Sequence, residues 1–309
     1  MPSDTAATPG PTPDPTPGPT PGPALDRRIH PVRADLAASR YRGRVAAERF
    51  ADPVPMRIAA ASAPLRPAPD AARSIDTEAL YGESFDLYEI RDDGWAWGQL
   101  ATDSYVGFLP AGCLGEAGLP ATHRVCVPRS FRYPEAELKR PPLSLISLGA
   151  RVRVVGTAVT RGLDYALLDD GSAMVARHLM PLGETVVDWV AVAEGLLGTP
   201  YLWGGRTSLG LDCSALVQLA AAEAGHLLPR DSDMQAAEAG TALDISAGLP
   251  ELRRGDLLFW KGHVGILSDP ATLLHANGRT MSVAREPLDA ALARIAATEW
   301  GAVTACRRL

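Results

Sequence analysis

Between residues 53 and 184, hydrophobic and polar positions alternate in short runs broken by turn residues. The runs PMRIAAAS, ESFDLYEI, WAWGQLA and SYVGFLP are followed by ARVRVVGTAV, DYALLDD and SAMVARHLMPL. Period-two alternation in segments this short predicts strands of small β-barrels. Arg91-Asp92-Asp93-Gly94 separates two of the runs with a hairpin turn signal. The sequence of strand, turn and closing VGFLP or VARHLMP occurs twice, which predicts two barrels, at 53–120 and 121–184.

From residue 185 the pattern changes. VVDWVAVAEGLLG carries apolar residues at helical spacing and stops at Gly198-Thr199-Pro200. CSALVQLAAAEAG reads as an Ala/Leu-rich helix ending at Gly225, and DLLFW, HVGILSD, TLLHANG, MSVAREP and AVTACRRL read as five strands. Helices first and sheet afterwards predict an α+β domain over 185–309.

Composition changes the picture at the N-terminus. Nine of the 27 prolines fall within residues 1–24, in a Pro-Gly/Pro-Thr pattern that cannot bury apolar surface. That stretch predicts a disordered, polyproline-like tail. Residues 25–52 mix basic and apolar positions and predict a short helix or a clasp against a neighbouring domain. The remaining body is long enough for real cores, which excludes a collagen or a disulfide-stapled mini-protein.

The net charge of −6 comes without long runs of one sign. This argues against nucleic acid as a partner, which would call for a basic stripe, and against an anionic membrane surface. No stretch approaches 18 apolar residues, so no membrane insertion is expected. No basic segment followed by an apolar core opens the chain, so a cytoplasmic location is expected. Cys113, Cys126, Cys213 and Cys306 show no metal-finger spacing and should be thiols there. His30, His123, His178 and His226 show no ligand spacing either, so neither a metal nor another cofactor is expected. Trp95 and Trp97 read as barrel packing, and Arg206 as a partner of a substrate carboxylate or of solvent.

Cys213 stands apart from the other thiols. It falls where the loop GGRTSLGLD meets the helix SALVQLAAAEAG, with Asp212 placed to cap that helix. A helix N-terminus favours the thiolate, the nucleophilic form of cysteine. Such a residue needs a base, and His263 and His275 lie on neighbouring predicted strands. One could take the thiol proton while the other orients it.

Pro200-Tyr201-Leu202-Trp203-Gly204-Gly205, Leu211-Asp212-Cys213-Ser214, Gly262-His263-Val264-Gly265-Ile266 and His275-Ala276 together resemble the NlpC family of papain-like cysteine peptidases. The resemblance covers about 120 C-terminal residues. It implies an α+β papain-like cysteine peptidase domain preceded by two small all-β SH3-like barrels. It further implies Cys213 as nucleophile, His263 as base, His275 as the orienting third member, and Tyr201 at the oxyanion hole.

The barrels resemble the bacterial SH3-like domains of enzymes that cleave the γ-D-glutamyl–diamino acid bond of murein peptides with a free N-terminal L-alanine. On that resemblance Glu83, Tyr105, Asp212, Ser214, Asp231 and Ser232 would bind the substrate, together with Trp203. Carboxylates and hydroxyls suit a free ammonium, and leaving them unpaired would reject an amine-blocked analogue. The competing readings are an endopeptidase of intact peptidoglycan stem peptides and a non-catalytic wall-binding adaptor. The oligomeric state and the diamino acid preferred are not legible.

Overall fold

The computed structural model describes residues 25–309; the tail expected at 1–24 lies outside them. Strands Val54–Ile58, Ser84–Ile90, Trp95–Leu100, Val106–Pro110 and Leu114–Glu116 form an antiparallel five-stranded sheet, and Ser62–Leu65 pairs with Thr77–Leu80. The Arg91–Gly94 turn closes its hairpin as expected, with Gly94 at φ 85° donating its N–H to the Arg91 carbonyl. Alternation assigns the faces. Ile58, Leu65, Phe85, Leu100 and Leu109 fill the barrel, while Tyr88, Trp97 and Phe108 point the other way.

That outer face is covered by residues 25–52. Leu36, Ala38 and Tyr41 pack on it, and the Arg33 guanidinium sits 4.3 Å from the Trp97 ring centroid. The segment holds no α-helix. Leu36–Ala38 instead pairs in parallel with Arg49–Ala51, and the Arg28 carbonyl accepts from Val106 N–H at 2.7 Å. Of the two expected forms, the clasp is the one adopted, and Trp97 is buried beneath it as packing.

The second barrel is made of eight short strands between His123 and Pro181, in three small sheets. Each barrel closes through a single 3-10 turn, Ala111–Cys113 and Ala176–His178, which is the physical content of the recurring closing pattern. The second core is not independent, however. Val125, Ile146, Leu148 and Met174 belong to one cluster with the first helices of the C-terminal domain.

In that domain, α1 (Trp189–Glu194) and α2 (Cys213–Glu223) lie on a six-stranded sheet, with α3 (Ser232–Glu238) beside them. The α1 helix is shorter than its apolar pattern predicts, because Asp188 caps it late by accepting from Val190 and Ala191 N–H. The sheet runs Thr241–Leu243, Ala305–Arg308, Asp256–Trp260, His263–Asp269, Thr272–Asn277, Ser282–Pro287 in spatial order. Leu257, Phe259, Val264, Ile266 and Leu274 face α2, whose Leu216 and Val217 are fully buried. Each such side chain contributes about 1.5–3 kcal/mol. The alternate residues Leu258, Trp260, Leu267 and Leu273 meet Leu288, Ala291 and Ile295 of α4 (Leu288–Ala296) on the other side. Neither α4 nor the Thr241–Leu243 strand was expected. Packing on both faces fixes the sheet, and with it the two strands that carry His263 and His275. Among the described residues, no helix is long and apolar enough to cross a membrane.

Candidate active site

The loop from Thr199 to Asp212 delivers Cys213 to the first position of α2. Gly204, at φ 72°, passes so close to the first barrel that a Cβ there would lie 2.4 Å from the Ile75 carbonyl oxygen. Asp212 caps α2 through Oδ1, which accepts from Ala215 N–H at 2.8 Å, and its Oδ2 accepts from Gly204 N–H at 3.0 Å. The carboxylate is held from the other side by Arg230, at 2.9 and 2.6 Å. Arg230 is fully buried and also donates to Ser214 Oγ and to Thr77 Oγ1 of the first barrel, each at 2.8 Å. Asp212 and Ser214 do border the cavity that holds Cys213, but their oxygens are committed to Arg230. The same geometry braces the cysteine from within the cavity wall where substrate contacts are expected of them.

His263 follows the Lys261-Gly262 turn between two strands, and Ile266 pairs with Leu274, which brings His275 beside it. His263 Nε2 lies 2.9 Å from His275 Nδ1, leaving Nδ1 of His263 as its second ring nitrogen. His275 is buried, and its Nε2 is 3.4 Å from Glu286 Oε2. Arg294 grips Glu286 at 2.9 and 2.5 Å, and Arg279 reaches it at 3.2 Å.

Burial dominates the protonation states. It pushes the Cys213 thiol up to about 12, helped by the Asp212 charge and opposed by the N–H groups of Val264 and Ser214. Burial likewise brings His263 down to about 3 and His275 down to about 4, the latter against the pull of Glu286. Thiol and imidazoles therefore rest neutral at pH 7. The helix N-terminus alone predicted a lowered thiol pKa, and desolvation outweighs it here.

A cavity of about 260 Å³ adjoins Cys213 and is lined by Tyr105, Tyr201, Trp203, Asp212, Ser214, Asp231 and Ser232. Seven of the expected residues thus meet around Cys213. Tyr201 and Trp203 also border a second cavity of about 450 Å³ that contains His263 and His275, so the two cavities flank the catalytic candidates. Burial and then the potential charge on Cys213 raise the Tyr201 phenol above its usual range, in keeping with their closeness.

Glu83 is not part of this group. Its carboxylate is buried at the joint between the first barrel and the C-terminal domain, where Arg206 binds it bidentately at 2.9–3.0 Å and Leu80 N–H donates at 2.7 Å. Arg206 is accordingly buried and spent on Glu83 and Gln218. The barrel's carboxylate at the cavity is instead Asp76, whose Oδ2 is buried with no hydrogen-bond partner among the described residues and lies 3.6 Å from Arg27. Asp231 accepts from Tyr105 at 3.2 Å and from Arg28 at 2.8 Å. Arg28 also reaches Asp233 and Asp26, so the clasp supplies part of the cavity wall. Asp76, Arg28, Arg230 and Glu286 were missed. For Glu286 a signal existed, since a tight 272–287 hairpin sets it on the same face as His275. Among the described residues, no cluster of three or more His, Cys, Asp or Glu is disposed to hold a metal ion.

Comparison with known proteins agrees with this architecture. Residues 198–296 match the NlpC/P60 family, and residues 65–114 match the bacterial dipeptidyl-peptidase Sh3 domain. A probable endopeptidase of Corynebacterium glutamicum is 34% identical over 128 residues, 40% of this chain and 57% of that protein. A gamma-D-glutamyl-L-lysine dipeptidyl-peptidase of Bacillus subtilis is 36% identical over 100 residues, 30% of this chain and 32% of that one. The chain thus spans from just under a third to just under three fifths of these curated relatives. The crystal structure of an NlpC/P60 family protein from Bacillus cereus superposes with a TM-score of 0.66 at 20% identity, covering 82% of this chain and 99% of that one, a likeness of fold. The chain carries an NlpC/P60 domain of papain-like fold behind an SH3-like domain of the bacterial dipeptidyl-peptidase kind.

Proposed function

We propose that the protein is a cysteine peptidase that hydrolyses the γ-D-glutamyl–diamino acid bond of murein peptides whose L-alanine amine is free. The observation that carries this reading is Asp76, a carboxylate in the same cavity as Cys213 whose buried Oδ2 has no hydrogen-bond partner among the described residues and Arg27, at 3.6 Å, as counter-charge. Four carboxylates line that cavity against Arg27, Arg28 and, behind Asp212, Arg230, which leaves one net negative charge, suited to an ammonium group. With Asp231 occupied by Arg28, Asp76 and Tyr105 are the acceptors nearest to hand. A peptide with a free N-terminal amine is a fragment already released from the glycan, which makes wall-peptide recycling the matching role.

The chemistry follows from the neutral resting pair. As Cys213 Sγ attacks the γ-carbonyl carbon, its proton passes to His263 Nδ1, which acts as general base. The Cys213 backbone N–H and the Tyr201 hydroxyl would receive the developing oxyanion. His263 then protonates the departing diamino-acid nitrogen as the C–N bond breaks, leaving a thioester. A water deprotonated by the same imidazole hydrolyses it and releases L-alanyl-D-glutamate.

The test is incubation with L-Ala-γ-D-Glu-diaminopimelate beside its N-acetylated form. Cleavage of the free tripeptide, loss of cleavage in Cys213→Ala and resistance of the acetylated peptide are expected. Equal or preferred cleavage of blocked stems would favour the intact-wall endopeptidase. No cleavage at all, with the thiol inert, would return the adaptor reading.

A further inference from the structure

The contact between His263 Nε2 and His275 Nδ1 can hold one proton, and which ring carries it decides whether His263 can act as a base. If His263 donates, its Nδ1 keeps a lone pair for the thiol proton, and His275 must carry its own hydrogen on Nε2. If His275 donates, His263 holds its hydrogen on Nδ1 and cannot accept. In that second state the Nε2 lone pair of His275 would face whatever lies beyond it.

What lies beyond is a carboxylate. Glu286 sits on the strand next to His275, whose partner in register is Ala284, so the two side chains are diagonal neighbours on one face. Its Oε2 is 3.4 Å from the buried His275 Nε2. Arg294 from α4 and Arg279 from the hairpin turn keep it ionised, below the usual carboxylate range. An ionised carboxylate accepts and never donates. It welcomes an Nε2–H and repels an Nε2 lone pair.

We propose that Glu286 is a positioning residue that selects the productive tautomer of both histidines, extending the relay to Cys213–His263–His275–Glu286. The inference rests on the peptidase reading for its kinetic consequence but not for its structural one. Glu286 touches no reacting atom, and its effect travels through two rings. Losing the outer partner of a metal-bound histidine costs roughly 10- to 100-fold in activity, and a loss of that order is expected for Glu286.

The first measurement uses the unaltered protein with 15N-labelled histidine, whose nitrogen chemical shifts at pH 7 report each tautomer. Protonation of both His275 and His263 on Nε2 is expected; His275 protonated on Nδ1 would overturn the proposal. The second measurement uses Glu286→Gln, with Glu286→Asp as the charge-keeping variant. In Glu286→Gln, kcat on the tripeptide should fall about 10- to 100-fold with KM little changed, and His275 should shift toward Nδ1–H. Glu286→Asp should retain more of kcat than the amide does. A Glu286→Gln protein with unaltered kcat would refute the assignment even if it melted early. If the unaltered protein cleaved no peptide, the peptidase reading would fall, while the tautomers would still decide for or against Glu286.

Discussion

Replacing Glu83 by Ala separates a structural carboxylate from a substrate-binding one. Glu83 is 1% exposed and Arg206 3%, so neither has water as an alternative partner. The substitution removes three charge-assisted contacts at 2.9–3.0 Å and strands the Leu80 N–H. Arg206 keeps Gln218 Oε1 at 2.8 Å, but its charge is left uncompensated inside the domain joint. Breaking a buried pair by removing one partner costs about 3–5 kcal/mol. Burial works against the Glu83 charge, yet the field and hydrogen bonds of Arg206 outweigh it and hold the carboxyl below its ordinary range. The sign of the pH effect follows from that. A depressed folded pKa means the stabilisation is complete above the unfolded value of about 4.3 and is lost as pH falls from there toward the folded value. Urea titrations of both proteins should therefore show a large gap in midpoint at pH 7 that narrows in acid. Under conditions where Glu83→Ala is still folded, KM for the free tripeptide should match that of the unaltered protein. A variant with unchanged midpoint and raised KM would refute this reasoning and return Glu83 to the substrate.

Two further outcomes can be checked directly. The Asp76→Asn variant should raise KM for free-amine peptides about 10- to 100-fold, the worth of a hydrogen bond to a charged group, with kcat nearly unchanged. An unchanged KM would place the ammonium elsewhere. With the Cys213 thiol up at about 12, its alkylation rate followed by mass spectrometry should climb continuously from pH 6 to pH 10. A plateau beginning below pH 6 would reveal a preformed thiolate–imidazolium pair instead.

Much of the fold was legible because it rests on local pattern. The Arg91–Gly94 hairpin, the α2 helix beginning at Cys213 and the adjacent histidine strands all follow from alternation, helical spacing and turn residues within short windows. The boundary between second barrel and C-terminal domain was less legible. Val125 and Ile146 alternate like any barrel strand, and nothing local shows that they share a core with α2. The clasp was harder again, because Leu36 and Tyr41 acquire their meaning only from Trp97 and Phe108 on a sheet face formed elsewhere.

The charged residues show why part of the cavity wall was not read. Glu83 and Asp76 are seven residues apart on the same barrel, and composition cannot rank them. Their roles are assigned by guanidiniums distant in sequence. Arg206, 123 positions from Glu83, reaches it with paired bonds and removes it from solvent. Arg27 approaches Asp76 Oδ2 only at 3.6 Å, beyond hydrogen-bond distance. Arg28 does to Asp231, 203 positions on, part of what Arg206 does to Glu83. The same logic runs through Arg230, which holds Asp212 and Ser214 in place beside Cys213. A carboxylate near a nucleophile becomes a binding group only where the chain declines to neutralise it. In this cavity the neutralising arginines come from the clasp and the C-terminal domain: Arg28 and Arg230 bond Asp231 and Asp212 directly, whereas Arg27 stays 3.6 Å from Asp76, which on the proposed reading leaves that barrel carboxylate as the weakest-held anion for an ammonium group.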